Sequence, residues 1–148
     1  MSTLFAFLHH LSAFTLVSAI AIEFALIRSE LTLSSARRLQ LTDMVYGIAA
    51  GALLIIGLLR VFFFEKGADY YFHSYAFMTK FSVFIAVGLL SIIPTVEFLS
   101  WRGAVNAGQV PSIGARKLRL VTALIHGELF AIVIILLCAA IMARGGWV

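Results

Sequence analysis

Apolar residues run almost unbroken through four stretches of the chain, Leu4 to Ile27, Thr42 to Phe64, Tyr75 to Phe98 and Leu118 to Ala143. Crossing about 30 Å of hydrocarbon takes roughly 20 residues at the 1.5 Å rise of a helix, so each stretch is long enough to span a bilayer. The pattern predicts an all-α fold, an integral-membrane four-helix bundle that forms a single domain over residues 1–148. An Ala-Ile-Ala run at Ala19 to Ala21 has the small residues of a leader-cleavage site, but no Lys or Arg precedes it, which favours a retained helix. Three short loops and two stubs remain. Any chemistry therefore belongs inside the bundle or at its rims.

Polar positions inside the stretches sort by helical phase. At 100° per residue, His9, Ser12, Leu16, Ala19 and Glu23 fall within about 80° of one another, whereas His10 goes with Phe14, Val17, Ala21 and Phe24. The first set predicts an inward face and the second a lipid-side or interfacial one. On the second helix Tyr46, Ala50, Leu53, Gly57 and Arg60 share a sector with Asp43 beside it, and its small residues admit a close neighbour or a flat ligand. On the third, Lys80, Val87, Ser91, Pro94 and Thr95 lie together. On the fourth, Arg119, Thr122, His126, Val133, Leu137 and Ala140 share a face, and Glu128 points almost the opposite way.

Composition agrees with the spans: 62% of residues are hydrophobic and 12% charged, too little polar surface for a soluble domain. The first loop carries Arg28, Arg37 and Arg38 and the third Arg102, Arg116, Lys117 and Arg119, against Lys66 alone in the second, where Glu65 and Asp69 offset it. Positive loops stay in the cytoplasm, so loops one and three are expected inside and both termini outside, on the periplasmic face of a bacterial inner membrane. The same distribution explains the basic isoelectric point without nucleic acid, since no basic helix or aromatic-interleaved patch occurs. Cys138, the single cysteine, excludes an intrachain disulfide and a thiolate-rich metal site. Pro111, in the segment Val105 to Gly114, marks a cytoplasmic turn.

By depth, His9, Arg60 and Lys80 are expected within about two turns of the outer surface, Glu23, Asp43 and Glu97 near the inner one as interfacial residues or partners of loop arginines such as Arg28 and Arg102, and His126 just inside the midplane. Imidazoles in such a bundle either ligate a metal or haem or hydrogen-bond between helices, and spacing leaves both readings open for His9 and His126. The two are expected about 9 Å apart along the membrane normal, which argues against simple pairing across one iron.

The segments "FLHHLSAFTLVSAIAIEFALIR", "YGIAAGALLIIGLLRVFFFEKGADYYFHSYAFMTKFSVFIAVGLLSIIPTVEFL" and "IHGELFAIVIILLCAAIMARG" resemble an uncharacterised bacterial family of predicted four-helix membrane proteins over nearly the whole chain. That family resembles, more distantly, the HemJ-type protoporphyrinogen oxidases and the CopD copper-resistance membrane domain. The shared early histidine falls on His9, with His10 adjacent, and the HemJ-type third-helix lysine falls on Lys80. The resemblance implies haem b in the outer half of the bundle and a catalytic part for Lys80.

The expected function is thus a haem b-binding membrane protein with redox or porphyrin-related chemistry. His9 or His10 would be an axial ligand, with His126 or Lys80 as its partner, and Arg60, Lys66 and Lys80 would face the propionates. The alternatives are a non-catalytic membrane protein whose polar residues join helices or copies of the chain, and a copper-binding or transport protein. Copper is weakened by the lack of a methionine cluster. Expected partners are the bilayer, a second copy of the chain, and a porphyrin or quinone electron-transfer partner, without nucleic acid.

Overall fold

The computed structural model describes residues 2–64 and 67–144. Lys66, expected to face a propionate, and Glu65 lie outside the described residues. The chain forms α1 (Ser2–Arg28), α2 (Leu33–Leu59) running into a π-helical segment (Arg60–Phe64), α3 (Ala68–Phe72), α4 (Tyr75–Leu90), α5 (Ile92–Ser100), α6 (Arg102–Asn106) and α7 (Ala115–Ala143). Four helical units are long and apolar enough to cross a membrane: Thr3–Arg28, Leu33–Phe63, Tyr75–Asn106 and Ala115–Ala143. Such a bundle satisfies backbone polar groups within each span, as hydrocarbon demands. Below, "outer" denotes the end of the bundle at which α1 begins and α7 finishes.

The second span begins nine residues before the expected Thr42, because a cap starts it at Thr32. The Thr32 hydroxyl accepts from the Ser35 amide at 3.1 Å while the Ser35 hydroxyl accepts from the Thr32 amide at 2.8 Å. This reciprocal box satisfies two otherwise orphan donors and makes the α1–α2 connection only four residues long, 29–32. Arg37 and Arg38 thus ride on the first turns of a helix and not in a loop. At its other inner connection the chain leaves α6 through a Schellman turn: Gln109 N–H reaches Ala104 O at 2.9 Å and Gly108 N–H reaches Val105 O at 3.1 Å. Gly108 has φ +73°, which a side chain would disfavour.

The third span is broken. Pro94 cannot donate to the carbonyl of Leu90, and the helix turns at Ser91 between α4 and α5. As a result α4 leans on α7, whereas α5 lies against both α2 and α7. Gln40 on α2 ties the inner half together by donating to the Phe98 carbonyl at 2.8 Å. Along the whole bundle α1 packs on α2, and it also packs on α7.

Leu16, Ile20, Leu39, Tyr46, Phe98 and Ile125 form the centre of the core. Small residues at the seam, Ala19, Ala36 and Ala49, let α1 and α2 approach. Phe14, Ile48 and Phe130 are each about two-thirds exposed or more, an arrangement suited to lipid and not to water.

Candidate functional site

The inward face expected for α1 is the one the bundle buries: Leu16, Ala19 and Glu23 are buried and His9 is half-buried, while His10 and Phe14 are exposed. The His9 ring lies against Gly57 of α2, where a β-carbon would stand 3.7 Å from its Cε1. His9 Nδ1 is buried and has no hydrogen-bond partner among the described residues. His10 instead satisfies its Nδ1 at home, 2.7 Å from the Ala6 carbonyl, and meets the His9 ring edge-on at 6.1 Å.

Two cations lie within electrostatic reach of His9, Arg60 from the π-helical segment and Lys80 from α4. Short π-helical stretches accommodate an extra residue in a turn and recur at functional sites. Lys80 is half-buried, with its ammonium 5.4 Å from the centre of the Phe77 ring, and Cys138 of α7 is its buried neighbour. The outer half of the bundle therefore brings together three of the expected site residues, His9, Arg60 and Lys80.

His126 does not join them. It is exposed on the outside of α7 and stacks on Phe24 at 5.5 Å between ring centres. Phe24 lies fifteen residues beyond His9 on α1, about 22 Å along the axis, so His126 is far from the expected 9 Å separation. The reason is the position of α7. It begins at Ala115, inward of the inner end of α1, which brings His126 level with Phe24. The face of α7 that looks into the bundle is Val121, Ile125, Glu128, Ile132 and Cys138. Pairing of His9 with His126 on one metal is thereby corrected, and among the described residues no group of three or more His, Cys, Asp or Glu side chains is placed to hold a metal ion.

A second polar layer lies deeper. Glu23 of α1, Asp43 of α2 and Glu128 of α7 are all buried, at 1%, 7% and 2% exposure, so the interfacial placement expected for the first two is also corrected. Thr95 of α5 donates to Asp43 at 3.0 Å, while Tyr46 lies beside Glu128 and Glu23 beside Asp43. Among the described residues, one buried oxygen of Glu23 and one of Glu128 find no hydrogen-bond partner. Four helical elements thus contribute to one buried acidic cluster. Its signal in the sequence was the phase of Glu23 with Leu16 and Ala19.

Glu97 is buried too, and not with a loop arginine: it accepts from the Trp101 indole at 3.0 Å and pairs with Lys117 at 3.0 Å. Arg28 lies over Phe24, 5.2 Å from the ring centre.

No curated protein and no solved structure matches the chain. A family model described as "Predicted membrane protein (DUF2214)" matches residues 1–146, and the four apolar helices agree with that description. The chain belongs to this family of predicted membrane proteins.

Proposed function

We propose that the protein is a haem b-binding protein of the bacterial inner membrane with redox or porphyrin-related chemistry, as its resemblance to the HemJ type implies. The observation that carries this reading is the buried, unpartnered Nδ1 of His9. A buried polar nitrogen without a partner is costly, and a ligand that accepts its lone pair relieves that cost. The flank supports the reading: Gly57 leaves the imidazole uncrowded, and Arg60 and Lys80 would supply two cations for carboxylates. His9 would hold the haem, which would supply one-electron chemistry when bound. Lys80, over the ring of Phe77 and within electrostatic reach of Arg60, is the residue assigned to the substrate.

The chain's own part is to present one imidazole and to exclude water around it. His126 is outside this site, and His10 is a neighbour with its own hydrogen bond. The protein purified from haem-replete cells is expected to show a Soret band that shifts on dithionite reduction. His9→Ala is expected to remove that band, whereas His10→Ala and His126→Ala retain it. A colourless preparation, or a band unaffected by His9→Ala, overturns the reading. Porphyrin fluorescence on addition of protoporphyrinogen, lost in Lys80→Ala, tests the oxidase chemistry separately.

A further inference from the structure

We propose that a groove between the inner ends of α1 and α7 is a binding site for an anionic phospholipid. The groove is an open hollow of about 570 Å³ lined by Phe24, Ile27, Leu118 and His126, with Arg28 and Arg119 among its walls. Its composition is one-sided. No carboxylate lines it, and Glu23, the nearest on α1, is turned into the core.

Neither guanidinium is paired with a carboxylate among the described residues. Arg28 is instead held over Phe24, and the opposite wall contributes His126, stacked on the same ring with planes 21° apart. Two cations converging on a hollow without a counter-ion call for an anion, and a guanidinium matches the fork of a phosphate. The apolar walls call for hydrocarbon attached to that anion. Arg119 and His126 are seven residues apart on α7, about 10 Å, which spans the headgroup region and the start of the acyl chains. Basic hollows between transmembrane helices on the cytoplasmic side suit acidic lipid headgroups in this way.

Native mass spectrometry of the detergent-purified protein, loaded with phosphatidylglycerol or with phosphatidylcholine of the same chains, tests the proposal. Phosphatidylglycerol is expected to be retained about tenfold better. Arg28→Gln with Arg119→Gln is expected to abolish that preference, while Arg102→Gln with Arg116→Gln, exposed at the same end but outside the groove, leaves it intact. Ala123→Trp keeps both arginines and fills the groove, and is expected to lower retention as well. Equal retention of the two lipids overturns the proposal, as does full retention in Ala123→Trp or an equal loss in the Arg102/Arg116 pair. Displacement of the lipid by inorganic phosphate also overturns it, since the site would then hold phosphate and not lipid.

Discussion

Glu97 serves two partners of unequal worth. Lys117 is 61% exposed, so its ion pair is screened and contributes at most about 1 kcal/mol, whereas the Trp101 indole is buried and depends on Glu97 as its acceptor. Removing that acceptor strands a buried donor, at about 1–3 kcal/mol. Thermal unfolding in detergent micelles is therefore expected to rank Glu97→Ala as clearly destabilising, with Glu97→Gln and Lys117→Ala each within about 1 kcal/mol of the parent. If Lys117→Ala matches Glu97→Ala, the ion pair and not the indole bond holds this corner. At this scale the sequence was legible where a residue's phase and its chemistry agreed. Ser12 and Ala19 beside His9, and Phe14 beside His10, sufficed to turn one imidazole in and the other out. It was not legible for Glu128, which lies within an apolar stripe whose inward orientation depends on how α7 is rotated against α1 and α4. Hydropathy along one helix carries no information on that rotation.

Helix elements show how small residues and breaks place these side chains. A β-carbon at Gly57 would meet His9 at 3.7 and 3.9 Å, ordinary van der Waals distances, so Gly57→Ala fits and replaces a poor helix former. Its expected effect is between neutral and about 1 kcal/mol of stabilisation. Gly57→Leu drives further atoms into the space of the ring and is expected to cost about 1–3 kcal/mol. Equal unfolding temperatures for the Ala and Leu variants would show that α1 and α2 are not seated as described. The early start of α2 has a similar local origin. "LSSARRLQL" is too polar to count as membrane span, yet Ala36 and Leu39 are fully buried and Thr32 with Ser35 caps the helix. Hydropathy follows hydrocarbon depth, while helix boundaries follow capping and packing, and the two differ wherever a helix projects beyond the bilayer.

For the whole molecule, the outer half assembles His9, Arg60 and Lys80 and the inner half the carboxyl cluster, so the sidedness of the protein decides which compartment each layer serves. Four helices long and apolar enough to cross a membrane would leave both ends of the bundle in water, and the charge distribution favours one of the two orientations. Arg37, Arg38, Arg102, Arg116, Lys117 and Arg119 all belong to the end opposite the α3 segment, where Asp69 is exposed. Retaining those cations on the cytoplasmic side places Asp69 outside. Cys138 is the only cysteine and is buried, so single thiols introduced elsewhere can be read against a low background. Asp69→Cys is expected to react with a membrane-impermeant maleimide in spheroplasts. Ser112→Cys, exposed in the α6–α7 loop, is expected to react only after permeabilisation. The reverse pattern would invert the bundle, put the His9 layer at the cytoplasmic face, and move the Arg28–Arg119 groove into the leaflet that faces away from the cytoplasm.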